Sequence, residues 1–265
     1  MGFTMGDSFI SRDEKKLYLF DVDGTLTPSR QPIDDDMDKL LKRLRQKVVV
    51  GVVGGSDLPK IVEQLGKASA STEEVLLAYD FTFSENGLVA HKGGQLLDMQ
   101  SIEKHMGEEK LQEMINFSLR YMSNIHLPFK RGNFVEFRHG MINLSPVGRS
   151  VTLEERQAFV NYEATHPVRQ KFLNALKEAF PHYGLEFVIG GQISVDVYPV
   201  GWDKTYCLRH IEKESFSEIH FFGDKTMPGG NDHALYEDPR TIGHSVSGPA
   251  DTKNQILEHF PDLKS

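Results

Sequence analysis

The stretch Leu17-Tyr-Leu-Phe-Asp21-Val-Asp23-Gly24-Thr25-Leu-Thr27 constrains the fold more than any other part of the chain. Four apolar residues, Leu17 to Phe20, follow Lys15-Lys16 and stop at a pair of carboxylates and a glycine. That pattern predicts a buried strand. The strand delivers Asp21 to its C-terminal end, where open α/β sheets bind their ligands. Asp23 comes two residues later, and Gly24 allows a sharp turn with positive φ. Two carboxylates this close repel each other unless a cation or a shared proton neutralises them. Magnesium suits such a pair, because it prefers hard oxygen ligands and keeps water in its shell. Read alone, the same residues also fit a plain strand ending in a polar turn.

The next segments repeat the design. Asp34 to Gln46 reads as a helix with acids in its first turn, Lys42, Arg43 and Arg45 towards its end, and Met37, Leu40, Leu41 and Leu44 as its apolar stripe. Val48 to Val53 is a second buried strand, ending in Gly54-Gly55-Ser56-Asp57, and Pro59 to Leu65 begins another helix. Two strand–loop–helix units in succession argue for a parallel sheet with right-handed crossovers. Lys67 to Glu74 reads as a polar surface excursion, Ala78 to Phe83 as a strand, and Leu88 to Met99 as a hairpin turning at Gly93-Gly94. The texture then changes. Helices at 108–123 and 167–180 alternate with hairpins turning at His139-Gly140 and Gly190-Gly191. After Gly201 the parallel pattern returns: a helix over 204–213, a strand over 218–222 ending in Gly223-Asp224-Lys225, a short strand near 243–246 and a helix from Pro249. The fold class expected is α/β: a Rossmann-like parallel-sheet core, residues 1–94 and 202–265, carrying an inserted α+β cap domain, residues 95–201.

Composition limits the function. The chain has 265 residues, 30 basic against 38 acidic, a net charge of −8. Bulk charge therefore gives no attraction to nucleic acid or to an anionic membrane, and neither is an expected partner. Phosphate recognition would need a local arginine cluster or a metal. Cys207 is the single cysteine, which favours a reducing compartment and a cytoplasmic location. Met1 to Lys16 has no signal-peptide core, and Met1-Gly2 fails as a myristoylation start because position 6 is Gly.

Several polar segments carry candidate chemistry. Gly54-Gly55-Ser56 opens a helix after a strand, a setting in which backbone N–H groups and a hydroxyl hold phosphate, although a simple N-cap fits too. Lys204 lies in the first turn of its helix, the wrong end for the dipole, which hints at a task beyond solvation. Gly223-Asp224, with Asn231-Asp232 close behind, brings carboxylates to another strand end. Arg138 and Arg149 lie on a hairpin and a loop that bring them near one another, and Arg156 follows Glu154-Glu155 at a helix start, where an intrahelical pair is a rival reading. Ser194 and Asp196 share one face of a strand. Trp202 reads as a packing anchor, and the histidines, His233 included, show no metal-ligand spacing.

Asp21, Ser56, Lys204 and Asp224, in that order and at those structural positions, resemble the four motifs of the haloacid-dehalogenase-like phosphotransferases. Longer strings are more specific. Phe20-Asp-Val-Asp-Gly-Thr-Leu-Thr27, Val52-Val-Gly-Gly-Ser-Asp57, Asn143-Leu-Ser-Pro-Val-Gly-Arg149, Gly190-Gly-Gln-Ile-Ser194-Val-Asp196, Gly201-Trp-Asp-Lys204 and Phe221-Phe-Gly-Asp-Lys-Thr-Met-Pro-Gly-Gly-Asn-Asp-His233 resemble the eukaryotic phosphomannomutase family. The resemblance runs from about Leu17 to the C-terminus. It departs at 67–74, which looks inserted, at Ser84, where a Pro is usual, and in a longer N-terminal tail.

The resemblance implies a Mg2+-dependent isomerase that interconverts mannose 6-phosphate and mannose 1-phosphate, supplying GDP-mannose synthesis and glycosylation. It implies Asp21 as nucleophile and Asp23 as proton donor and acceptor, with Ser56 and Lys204 beside them. Substrate-binding positions fall on Arg30, Arg138, Arg149, Arg156, Ser194 and Asp196. Magnesium ligands fall on Asp21, Asp23 and Asp224, and a further cation loop on Tyr236, Asp238 and Thr241. A hexose 1,6-bisphosphate, of glucose or mannose, is the implied activator, and a homodimer through the cap the implied assembly. Two rival readings are a sugar-phosphate phosphatase, in which water takes the phosphoryl group and against which the cap arginines argue, and a non-catalytic sugar-phosphate-binding protein, against which the intact Asp21, Asp23, Ser56, Lys204 and Asp224 argue.

Overall fold

The structure is a computed structural model that describes residues 11–67 and 70–264. The Met1-Gly2 start and most of the N-terminal tail lie outside the described residues. By internal contacts the chain forms two units, Met1–Met99 with Asp203–Ser265, and Gln100–Trp202.

The first unit is built on strands β1 (Asp13–Asp21), β2 (Val48–Val53), β3 (Phe81–Ser84), β4 (Val89–Lys92) and β5 (Gln95–Met99) and on two later strands. Its helices in this part of the chain are α1 (Asp35–Leu44), α2 (Leu58–Leu65) and α3 (Thr72–Ala78). The second unit holds α4 (Ile102–Met106), α5 (Glu108–Asn124), β6 (Val135–Phe137), β7 (Ile142–Leu144), α6 (Leu153–Glu163), α7 (Val168–Ala179), β8 (Leu185–Gly190) and β9 (Ser194–Pro199). The chain returns to the first unit with α8 (Leu208–Ile211), β10 (Glu218–Gly223), α9 (His233–Tyr236), β11 (Ile242–Ser245) and α10 (Pro249–His259).

The larger sheet runs β11-β10-β1-β2-β3-β4-β5, parallel from β11 to β3 and antiparallel in the last two pairings. The continuous apolar runs have a simple cause: both faces of this sheet are covered. Tyr18, Phe20, Val50 and Val52 pack with Met37, Leu40, Leu41 and Leu44 of α1 and Ile256 of α10. Their neighbours Leu17, Leu19, Val49 and Val53 pack on the other side with Leu208, Ile211 and Phe221. Each fully buried side chain of this kind contributes roughly 1.5–3 kcal/mol, which outweighs the marginal intrinsic stability of a helix as short as α1. Asp34 caps α1, accepting from the Met37 N–H at 2.7 Å.

Register decides where the chemistry lies. Phe20 pairs with Phe222 of β10 and with Val52 of β2, and Asp21 lies beside Val53. Three neighbouring strands therefore end level, and the segments after them, from Asp21, Gly54 and Asp224, leave the sheet side by side.

The smaller sheet, in the second unit, is antiparallel in the order β6-β7-β9-β8. The long helices of this unit pack through aromatic rings: Tyr121 of α5 stacks on Phe172 of α7 at 4.8 Å between centroids. Trp202 is buried, with the His105 ring 5.1 Å away.

The structure differs from expectation in three places. The described part of 67–74 is not a bare excursion, because Ser71 and Glu74 form a capping box that starts α3. A seven-residue helix is too short to display a repeating stripe, so its signal was only the cap. The strand expected from Ala78 accordingly begins at Phe81. Gln95–Met99 is β5, paired with β4 as the expected hairpin about Gly93-Gly94 requires, so it lies in the larger sheet and not at the head of the insert. The expected helix over 204–213 is broken into a 3-10 turn at Lys204–Cys207, the short α8 and a second 3-10 turn.

Candidate active site

Lys204 is the centre of the site. Asp203 caps its turn, accepting from the Thr205 N–H at 2.8 Å. The turn packs against the Glu85–Gly87 turn so closely that a Cβ on Gly87 would meet the Cys207 Cα at 2.7 Å. The Lys204 side chain is 1% exposed, and its Nζ donates to Asp21 Oδ1 and Asp232 Oδ1. Burial alone would lower the ammonium's pKa, but attraction to the two carboxylates overrides it and raises Lys204 to about 12. Burial pushes the Asp21 carboxyl up to about 6, against the opposing pull of Lys204. A solvated lysine is excluded.

Asp21, Asp224 and Asp232 offer carboxylate oxygens that lie within 4.8 Å of one another, the one such cluster found among the described residues. One ammonium against three carboxylates leaves a net negative charge. Burial pushes Asp224 upward as well, with Asp232 adding repulsion. Asp224 Oδ1 is buried without a hydrogen-bond partner. An orphaned carboxylate oxygen in an over-acidic, all-oxygen cluster fits a hard divalent cation. Both Asp232 oxygens are already engaged, Oδ1 accepting from Lys204 and Oδ2 from the Lys225 N–H at 2.9 Å. Gly24, at φ +95°, lets this cluster approach the backbone: a Cβ there would lie 2.5 Å from Asp224 Oδ2.

Asp23 turns its carboxylate the other way. Its Oδ1 accepts from the Arg30 N–H at 2.5 Å and from Gln64 Nε2 at 2.8 Å, and its Oδ2 accepts from the Ser29 hydroxyl at 3.4 Å. The Arg30 side chain is exposed, and its backbone takes the left-handed φ of 61°.

A cavity of about 120 Å³ lies between these groups, lined by Asp21, Asp23, Gly54, Gly55, Ser56, Gln64, Lys225 and Asn231. Ser56 is not the cap of the helix after it: Asp57 is, accepting from the Lys60 N–H at 3.1 Å. That leaves the Ser56 hydroxyl to the cavity. The Glu85-Asn86 turn steadies the loop, with Glu85 N–H donating to the Ser56 carbonyl and Asn86 N–H to the Gly54 carbonyl, both at 2.9 Å.

The expected cation loop looks different. The Asp238 carboxylate is held by Arg240 through both oxygens, at 2.8 and 2.7 Å, and this pairing holds its pKa below the usual carboxylate range. Thr241 Oγ1 donates to the carbonyls of Leu235 and Asp238 at 2.6 and 3.1 Å, and Tyr236 closes α9. These residues are near one another but do not form an open oxygen cluster.

In the second unit, register places Glu136, Asn143 and Asp196 opposite one another across β6, β7 and β9. Asn143 Nδ2 donates to Ser194 Oγ at 2.8 Å and to Asp196 Oδ1 at 2.5 Å, and Asn143 Oδ1 accepts from Arg149 at 2.6 Å. Glu136 bridges the two arginines, pairing with Arg138 at 2.9 Å and with Arg149. Burial raises the Asp196 carboxyl. The structure thus joins Arg138, Arg149, Ser194 and Asp196 in one network. Arg156 stands apart from it. Its Nε is buried without a partner, and the intrahelical rival fails because Glu155 is engaged with Arg131 and with the Thr152 cap.

Sequence reasoning passed over Glu136, Asn143 and Gln64, and it noted Asp232 without giving it a role. Gln64 had a usable signal, a polar residue within the apolar stripe of Ile61 and Leu65. Asn143 opens one of the strings that carry the family resemblance, but nothing in the string gives it a role, and Glu136 had no signal beyond its place on a strand.

The family model of eukaryotic phosphomannomutase matches residues 37–262. A probable phosphomannomutase of Caenorhabditis elegans is 56% identical over 94% of this chain and 97% of its own length. A phosphomannomutase of Nicotiana benthamiana is 56% identical over 91% and 93%, and human phosphomannomutase 1 is 53% identical over 94% of each. Among solved structures, a trehalose-6-phosphate phosphatase of Aspergillus fumigatus aligns with a TM-score of 0.59 over 92% of both chains at 17% identity. An IMP-nucleotidase of Plasmodium falciparum aligns with a TM-score of 0.57 over 93% of this chain and 69% of its own, at 16% identity. At such identities the likeness shows a shared fold and nothing of substrate.

Proposed function

The chain belongs to the eukaryotic phosphomannomutase family, an isomerase family that interconverts mannose 6-phosphate and mannose 1-phosphate, and we propose that the Lys204-centred site carries out this reaction through Asp21. The observation that supports it most is the buried clamp of Lys204 on Asp21 and Asp232, with Asp23 across the cavity.

Asp21 must be ionised to attack phosphorus, and the clamp favours that state against the cost of burial. Phospho-Asp21, primed by a hexose 1,6-bisphosphate of glucose or mannose, passes its phosphoryl group to the free hydroxyl of a hexose monophosphate. Asp23 takes the hydroxyl proton as the new P–O bond forms and the acyl-phosphate bond breaks, which regenerates the Asp21 carboxylate. The resulting bisphosphate then presents its other phosphoryl group. Asp21 attacks it, and Asp23 returns the proton to the leaving oxygen. Ser56 and neighbouring N–H groups hold the transferring oxygens, and Lys204 offsets their charge. Mg2+, held by Asp21, Asp224 and the Asp23 carbonyl, would supply further positive charge against the phosphoryl oxygens.

The unit 1–94 with 202–265 is the catalytic core in this reading, and 95–201 binds the sugar phosphate. There Arg138, Arg149 and Arg156 seat the phosphate that is not reacting, while Ser194 and Asp196 take sugar hydroxyls. Arg30 adds a cation in the core; Tyr236, Asp238 and Thr241 would hold a second cation only once the Asp238 carboxylate is released from Arg240. The product supplies GDP-mannose synthesis and protein glycosylation. A homodimer through the second unit and a cytoplasmic location complete the reading. Among the described residues no helix is long and apolar enough to cross a membrane.

The test is to supply mannose 1-phosphate with catalytic hexose 1,6-bisphosphate and to measure isomerised sugar against free phosphate. Isomer in large excess, lost in Asp21→Asn, is expected. Stoichiometric phosphate release would instead support a sugar-phosphate phosphatase.

A further inference from the structure

The two oxygens of Asp23 are not equivalent. Oδ1 accepts from two N–H donors, the Arg30 backbone at 2.5 Å and Gln64 Nε2 at 2.8 Å. Oδ2 has only the long contact from Ser29, 3.4 Å. Both N–H donors are held by local structure. Arg30 takes the left-handed φ of 61°, a conformation that costs a residue other than glycine stability. Gln64 is 2% exposed in the last turn of α2, and its own carbonyl accepts from the Ile33 N–H at 2.7 Å.

Its position is the informative point. The buried face of α2 is Ile61, Gln64 and Leu65, a stripe whose spacing calls for three apolar residues. A buried amide there breaks the local pattern, and such breaks mark functional demands. Packing would be served by leucine; what only the amide adds is the hydrogen bond to Asp23, with a weaker one to Thr27 Oγ1 at 3.4 Å.

We propose that Gln64 is a positioning residue that, with the Arg30 N–H, locks the Asp23 carboxyl so that Oδ2 is the proton-carrying oxygen in both halves of the reaction. The proposal rests on the mutase reading above. A neutral donor suits the task. Oδ1 accepts from Gln64 whether Oδ2 is bare or protonated, so the carboxyl need not turn between its base step and its acid step. A cationic side chain would instead bind the ionised form far more tightly than the protonated one.

The experiment compares two phosphoryl donors. With hexose 1,6-bisphosphate the leaving oxygen is an alkoxide and needs a proton from Asp23. With p-nitrophenyl phosphate the Asp21–P bond forms, the aryl P–O bond breaks, and the phenolate leaves without one. Gln64→Leu, which completes the apolar stripe, should lower mutase kcat roughly 10–100-fold, part of the ~10²–10⁴-fold worth of general acid–base catalysis. KM should stay within about twofold, and the p-nitrophenolate burst rate, which reports Asp21 phosphorylation alone, within about twofold as well. Gln64→Asn, whose shorter side chain withdraws the donor while keeping the amide, should show the same split and covers a failure of the leucine variant to fold. Equal losses with both donors would reduce Gln64 to a structural role, and unchanged mutase kcat would remove the role altogether; either overturns the proposal. A wild-type protein that gives the burst but no isomer would refute the mutase reading instead.

Discussion

Replacing Lys204 by methionine keeps the packing and deletes the charge, so it isolates the clamp. Lys204 Nζ is the counter-charge to both Asp21 and Asp232, and all three side chains are buried. At an effective dielectric of ~20, unit charges ~4 Å apart attract by ~4 kcal/mol, and for a buried pair most of this is offset by desolvation. Removing one partner leaves the desolvation cost without the attraction, and the loss for a buried pair is ~3–5 kcal/mol. That is at least about a fifth of the ~5–15 kcal/mol stability of a typical domain. The loss depends on pH in a definite direction. Asp21 sits at about 6 with the lysine present, so the wild type has shed this proton above pH 6. Without the lysine, desolvation and Asp232 push Asp21 higher still, so the native variant retains a proton that the unfolded chain, near 3.9, has already lost. Native-state proton excess means stability falls as pH rises, by up to ~1.4 kcal/mol per pH unit. The gap between variant and wild type should therefore widen from pH 6 to pH 8. Urea denaturation followed by circular dichroism at pH 6, 7 and 8 measures it. A loss below ~1 kcal/mol at pH 7, or a gap independent of pH, would refute the clamp as described.

Two further outcomes follow from the network and the histidines. Glu136→Gln frees Arg138 and Arg149 from their shared carboxylate and should lower the KM for mannose 1-phosphate about 3–10-fold, with steeper salt dependence; an unchanged KM at both low and high salt would argue that these arginines do not seat a phosphate. His244 is pushed down to about 4 by burial and by its neighbours His220 and His259, so its contribution is intact above the unfolded pKa of ~6.5 and is lost as pH falls towards 4. The ring is partly exposed, so solvent screening reduces the cost to on the order of 1–2 kcal/mol. His244→Phe, whose ring can keep the stacking on Phe222, should flatten the change in urea midpoint between pH 7 and pH 4.5.

The core was readable because its rules are local. A strand buried on both faces must be apolar throughout, so Leu17–Phe20 and Val48–Val53 announce themselves, and the C-terminal ends of parallel strands must gather whatever follows them. Sequence order plus that rule brings Asp21, Ser56 and Asp224 together before any coordinate is known. Lys204 was harder, since only its misplacement on the helix dipole set it apart, and that cannot reveal that it is buried between Asp21 and Asp232.

The second unit resisted reading for the opposite reason. Its network is made by register between strands distant in sequence: Glu136 meets Asn143 across a hairpin, and Asn143 meets Asp196 more than fifty residues on. Each residue alone is an ordinary polar position on a strand. Only pairing makes Asn143 the hub that holds Ser194, Asp196 and Arg149 at once, and makes Glu136 the anion on which Arg138 and Arg149 rest. A one-residue slip of β7 would turn Asn143 to the other face and dissolve the network. The flanking apolar residues Ile142, Leu144, Val195 and Val197, all fully buried, oppose that slip. The hydrophobic pattern of these strands therefore places the polar groups that the proposed sugar-phosphate seat would use.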